Sequence, residues 1–172
     1  MADHVDRVVR QWGAERPDLD VSPMEVIGRL KRLTRLVDAE LKKTFAEHDL
    51  DAASFDVLAT LRRSGPPYRL TPTGLLASSM VTSGAISQRL DRLEARGLVT
   101  RTPSGSDGRS RDVALTPEGH ALIDRALPDH LATEHRVLAG LDEPQTEALV
   151  DALRTLLAHL GDTSRRDGPA PE

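Results

Sequence analysis

The sequence predicts a mostly helical chain with a minor β component (mostly α, α+β minor), in which a helix-turn-helix and a short hairpin are flanked by long amphipathic helices. Three observations predict it. Apolar residues recur at helical spacing over most of the chain. Turn-forming residues crowd one stretch, Pro103-Ser104-Gly105-Ser106-Asp107-Gly108, between two short strand-like runs. Aromatic residues make up 2% of the 172 residues, so the core rests on Leu, Val, Ile and Ala, a bias that suits helix-on-helix packing.

In chain order, Val5, Val8, Val9 and Trp12 predict a short helix near residues 3–14, ending before Arg16-Pro17-Asp18. Ser22-Pro23-Met24-Glu25 opens a long one, with Ser22 as cap, Pro23 in the first turn and Glu25 completing a capping box. Its apolar stripe is Ile27, Leu30, Leu33, Val37 and Leu41, reaching about His48. A third helix covers about Ala52–Ser64, stopped by Gly65-Pro66-Pro67. Thr71-Pro72 starts a short helix to about Ser79. A turn through Met80-Val81 leads to the next, capped by Thr82 or Ser83 and running to Arg96 before Gly97. Strands follow near Leu98–Thr102 and Arg111–Leu115. Thr116-Pro117-Glu118 begins another helix, interrupted or bent at Pro128, and Asp142 caps a last one with Leu149, Leu153, Leu156 and Leu160 on one face. The domain expected is 1–161: N-terminal helices 1–53, helix-turn-helix and hairpin 54–118 (hairpin 98–115), C-terminal helices 119–161. A disordered polar tail is expected over 162–172.

Composition narrows the function. No apolar run is long enough to cross a bilayer, and the first residues lack the basic start and apolar stretch of a signal peptide. With no cysteine there is no disulfide framework, thiolate cluster or thiol switch, and a reducing cytoplasm is the expected home. No Gly-rich nucleotide loop follows a strand and no nucleophile–base pair stands out, so neither an enzyme nor a cofactor is expected. His130 and His135, five apart, point to different helical faces, which speaks against zinc and for surface or interface positions. The net charge of −4 hides an uneven distribution. Residues 82–111 carry six arginines (89, 92, 96, 101, 109, 111) against Asp91, Glu94 and Asp107, for +3, while the rest of the chain is −7.

Helix, turn, helix and hairpin make a winged helix-turn-helix, the layout of a double-stranded DNA reader. The amphipathic N- and C-terminal helices are expected to dimerise, because a homodimer sets two recognition helices about one duplex turn apart. On the second helix, Ile86, Leu90, Leu93 and Gly97 share the core side, so Gly84, Gln88, Asp91, Arg92 and Ala95 point away, with Ser87 at the edge. Thr82 and Ser83 can then meet phosphate or bases, Gln88 an adenine edge, and Arg92 phosphate or guanine. A winged helix that binds protein instead is disfavoured by the arginine-rich segment.

The stretch Asp107-Gly108-Arg109-Ser110-Arg111-Asp112-Val113-Ala114-Leu115-Thr116-Pro117-Glu118-Gly119 resembles the D-x-R-S-x-x-V-x-L-T-x-x-G pattern of the MarR family of transcriptional regulators, with every fixed position filled. Leu90–Val99 resembles that family's recognition helix and first wing strand, and the likeness extends from about Pro23 to Leu160. The resemblance implies a winged helix whose Arg109 and Arg111 touch the minor groove or flanking phosphates. It gives Asp107 a structural role, fixing the wing through ion pairs.

A narrower resemblance is to the urate-responsive HucR/PecS subgroup of the family. It is carried by the extra N-terminal helix, by Trp12–Asp18 with Ser22–Ile27, and by Pro67–Thr73. It implies a purine pocket at Trp12, Asp56 (after Phe55), Arg89 and Arg101. The arginines would take a planar anion. Asp56 would repel it and pass the displacement to the recognition helix. Residue by residue, plainer readings stand beside these: Trp12 covering the dimer core, Asp56 exposed with Thr60 and Arg63 on a polar face, Arg89 and Arg101 as phosphate contacts. Carboxylates or phenolics are alternative effectors to urate or a related purine. Repression relieved by the ligand is the behaviour the family implies.

Overall fold

The computed structural model describes residues 2–79, 86–104 and 110–162. Contacts divide the chain into two compact units, Met1–Thr133 and Glu134–Glu172. In order the elements are α1 (His4–Glu15), α2 (Pro23–Glu47), α3 (Ala52–Arg63), β1 (Arg69–Leu70), α4 (Pro72–Ser78), α5 (Ile86–Ala95), β2 (Val99–Ser104), β3 (Ser110–Leu115), α6 (Pro117–Leu138) and α7 (Glu143–His159). None of the described helices is long and apolar enough to cross a membrane. The Met80-Val81 turn, the hairpin tip at 105–109 and the tail from 163 lie outside the described residues.

The first unit is built around α3. Val57, Leu58 and Leu61 are fully buried with Leu75 of α4, Leu93 of α5, Val99 of β2, Val113 of β3 and Ile123 of α6. Each such side chain contributes about 1.5–3 kcal/mol by leaving water. Six of these eight lie on helices, Leu93 among them on the recurrence that marked α5, and the strands supply Val99 and Val113.

The sheet has three strands rather than the two that the sequence predicts. Its order is β1-β3-β2, all antiparallel, with Arg69 opposite Ala114 and Leu70 opposite Val113. Two residues carry no alternation to read. Their strand is set by the preceding turn, where Gly65 (φ +76) and Tyr68 (φ +57) take left-handed conformations and the Tyr68 N–H donates to the Gly65 carbonyl at 2.6 Å. β2 runs on to Ser104, past the Pro103 that was expected to open the turn; as an edge strand it tolerates a proline.

Caps follow the expected chemistry with one exception. Asp142 and Gln145 form a capping box on α7, and Asp3 and Asp6 form one on α1. Ser22, however, makes no side-chain cap and Glu25 closes no box on it. Ser22 is itself helical (φ −55, ψ −34), so its hydroxyl is turned from the first-turn N–H groups, and its own N–H is taken by Asp20 Oδ1 at 2.9 Å. Pro128 does not interrupt α6, which continues through it. It lies on an exposed face, where water can satisfy the carbonyl deprived of its helical partner.

Two junctions fix the frame. At the first, Arg29 of α2 donates to Asp3 Oδ2 at 2.8 Å and Asp6 Oδ1 at 2.5 Å, while Gly28 lets Val5 of α1 settle directly on the α2 backbone. Asp3 is held below the ordinary carboxylate value by the Asp6 N–H foremost, and by Arg29 and the Val5 N–H. The Asp3 N–H foremost and Arg29 do the same to Asp6. At the second junction the Thr116 N–H donates to the Leu98 carbonyl at 3.2 Å and its hydroxyl donates to the Gly97 carbonyl at 2.6 Å. The same hydroxyl oxygen accepts the Gly119 N–H at 3.0 Å. A Cβ on Gly119 would stand 1.9 Å from the Leu98 oxygen, so only glycine fits there.

Two predictions test these junctions. Gly119→Ala is expected to cost about 2–3 kcal/mol of unfolding free energy, the range of overpacked sites, in a urea melt; wild-type stability would contradict the close approach. Because Asp3 and Asp6 titrate lower in the folded chain, their hold on α1 is complete above the ordinary aspartate value of 3.8 and fades as pH falls through their depressed values. Hydrogen exchange along residues 5–12 should accelerate at acid pH relative to α3, and Arg29→Met should shrink the difference between neutral and acid without removing it, because the capping box remains.

Candidate nucleic-acid interface and pocket

α5 sits as its period predicts except at Gly97, which was expected on the core side and is exposed beyond the helix end. Leu90 and Leu93 are buried and Ile86 is half-buried, while Ser87, Gln88, Asp91, Arg92 and Ala95 are exposed. The helix ends in a Schellman motif: Gly97 (φ +68) donates to the Glu94 carbonyl at 2.8 Å and Leu98 to the Leu93 carbonyl at 2.9 Å. Arg111 is exposed on β3, opposite Pro103 of β2. Thr82, Ser83, Gly84, Asp107 and Arg109 lie outside the described residues. The described part of the candidate DNA surface is therefore Ser87, Gln88 and Arg92 on α5 and Arg111 on the wing.

Not every arginine of the basic segment belongs to that surface. Arg96 donates to the Asp49 carbonyl at 2.6 Å and ties the end of α5 to the turn between α2 and α3. Arg89 and Arg92 both act on Asp51, the N-cap of α3. Burial, the largest influence, raises the Asp51 pKa. The Ser54 N–H and hydroxyl together with the two arginines outweigh it and leave the carboxyl below its ordinary value.

The four pocket candidates lie on four different elements. Asp56, Arg89 and Arg101 lie on α3, α5 and β2, and α5 packs against both of the others. Asp56 is 8% exposed and Thr60 1%, so the polar, solvent-facing side expected for α3 does not exist at these two positions. The reason is enclosure: α2, α4, α5 and β3 all pack on this helix, and only Arg63 among the three is exposed. Arg89 is half-buried, and one of its terminal guanidinium nitrogens is buried without an acceptor among the described residues. Trp12 stands apart, 45% exposed near the end of α1, which packs on α2.

Arg101 has partners that sequence reasoning did not assign. Its Nη2 donates to Asp91 Oδ1, its Nε faces Glu94 Oε2 at 3.4 Å, and its backbone N–H donates to Glu94 Oε1 at 3.1 Å. The available signal was the pair of acids one helical turn apart within a run of arginines. His130 is half-buried, its ring 4.6 Å from Phe55 and 5.6 Å from Phe45, centroid to centroid. Apolar side chains are exposed along α2, with Val26, Ile27, Leu33 and Leu36 each about half accessible, and in the second unit at Val150, Leu156 and Leu157 of α7.

Comparison with known proteins agrees with this geometry. The profile of the MarR family matches residues 48–110. The HTH-type transcriptional regulator PecS of Dickeya dadantii is 42% identical over 156 residues, covering 91% of this chain and 94% of PecS. Among solved structures, a mutant of Escherichia coli MarR complexed with operator DNA has a TM-score of 0.69 at 27% identity, covering 81% of this chain and 99% of that one. Bordetella bronchiseptica BpsR, whose DNA binding is regulated by 6-hydroxynicotinic acid, has a TM-score of 0.68 at 26% identity, covering 77% and 98%.

Proposed function

The chain belongs to the MarR family of transcriptional regulators, and from that premise we propose that it binds operator DNA as a homodimer and is a repressor released by a small planar anion, urate or a related purine. It is a regulator and not an enzyme, as are the relatives it matches. The observation that carries the DNA reading is the outer side of α5, where Ser87, Gln88 and Arg92 stand clear of the protein beside a wing that presents Arg111. Gln88 has the donor–acceptor pair that reads adenine, and Arg92 and Arg111 have the charge that meets phosphate. Thr82, Ser83 and Arg109 would extend this surface at the helix start and the wing tip.

Dimerisation is supported by the apolar side chains that α2 and α7 leave in water, for which a second copy is the economical cover. The effector reading is supported by the enclosure of Asp56, by the unmet guanidinium nitrogen of Arg89, and by the resemblance of residues 12–27 and 67–73 to the urate-responsive subgroup. Trp12, near the end of α1, would cover the ligand's ring face or the dimer core. A carboxylate effector is the second reading. It is favoured by the BpsR likeness, and Arg89 and Arg101, the arginines proposed to take the planar anion, would serve it equally.

Gel shifts with the DNA upstream of the protein's own gene test the first part. Gln88→Ala should cost about 1–3 kcal/mol on the operator and little on random DNA. Arg92→Ala should weaken both alike and lower the salt slope by about one unit. Equal losses for both variants on both DNAs would remove Gln88 from base reading. For the effector, urate is expected to weaken operator binding, and Arg89→Ala or Trp12→Phe to blunt the response. Operator affinity that does not change at saturating urate, xanthine and small carboxylates would falsify the sensor.

A further inference from the structure

We infer that Asp91 and Glu94 are the positioning residues through which the DNA-reading helix senses an occupied pocket, because an anion that takes Arg101 takes away the cation they share. This inference rests on the reading of Arg101 as a pocket residue.

The geometry is that of one cation held by two carboxylates. Arg101 is the more enclosed partner, with a side chain 20% exposed, whereas Asp91 is 65% and Glu94 41% exposed on α5. Both acids are exposed on that helix, and Asp91 shares its outward face with Gln88 and Arg92. Like charges one turn apart repel each other and repel phosphate. Arg101 offsets both effects while it is bound to them.

The guanidinium edge explains why an anion and these acids compete. A carboxylate or urate anion binds arginine best across two neighbouring N–H groups. On the Nε–Nη2 edge, Asp91 already holds Nη2, and Nε meets Glu94 only as a 3.4 Å ion pair without hydrogen-bond geometry. An anion seated across that edge displaces Asp91 and weakens Glu94. It leaves two carboxylates without their cation on the side of α5 that faces phosphate. By reciprocity, DNA that favours the paired state lowers the affinity for the anion.

The test measures two quantities on the full-length protein, in wild type and in the isosteric double variant D91N/E94Q. Urate binding is followed by calorimetry, and operator binding is followed with and without saturating urate. Wild type is expected to lose operator affinity by about tenfold or more on urate, within the usual range of allosteric coupling. The double variant should bind urate several-fold more tightly, since nothing competes for Arg101, and its operator affinity should change by less than about threefold. Asp91→Asn alone should give an intermediate coupling, and serves if the double variant does not fold. If both proteins bind urate and lose the operator by the same factor, the inference is overturned and the pocket stands. If wild type binds none of urate, xanthine and small carboxylates, the pocket reading falls and this inference falls with it.

Discussion

The carbonyl of Leu98 is where three parts of the winged unit meet. Leu98 closes the last turn of α5 through its N–H, which donates to the Leu93 carbonyl, and it immediately precedes β2; its carbonyl receives the N–H of Thr116 at the start of α6. Thr116 spans the same junction with its hydroxyl, and Gly119 allows the α6 backbone to come close enough for both bonds. A buried carbonyl left unpaired costs about 1–3 kcal/mol, so this arrangement has a defined alternative that the fold avoids. This contact and the ion pairs of Arg101 with Asp91 and Glu94 together tie α5, with its exposed Gln88 and Arg92, to the sheet.

That dependence also gives the L-T-x-x-G part of the family pattern a physical reading. Leu115 fills the flank of the junction, with its Cδ2 3.3 Å from where a Gly119 Cβ would be. Thr116 supplies one donor and one acceptor, and Gly119 supplies the missing volume. None of the three touches DNA in this account. They hold the helix proposed to read it.

The helices and their faces were legible because a period of 3.6 is a local property, and the buried and exposed sides of α5 follow directly from it. The strand β1 was not legible, since two residues carry no period and their pairing is decided by β3, more than forty residues away. Nor was the enclosure of Asp56, which shares a helix face with Thr60 and Arg63. A polar face reads as solvent-exposed until the elements that cover it are known. The partners of Arg101 escaped for the same reason: ten residues and a helix end separate it from Asp91. Of the pocket, the residue types were legible. Their burial and the ion pairs at Arg101 come from tertiary packing.

Pro103 near the end of β2 has a consequence for how that edge meets other strands. β2 is an outer strand of the sheet, and an outer strand with a continuous row of N–H and C=O groups is a template for pairing with its own kind. Pro103 has no N–H to offer, so such a ladder fails at that residue. The outer edge of β2 is thereby kept from zipping into a shared sheet with the same strand of another copy.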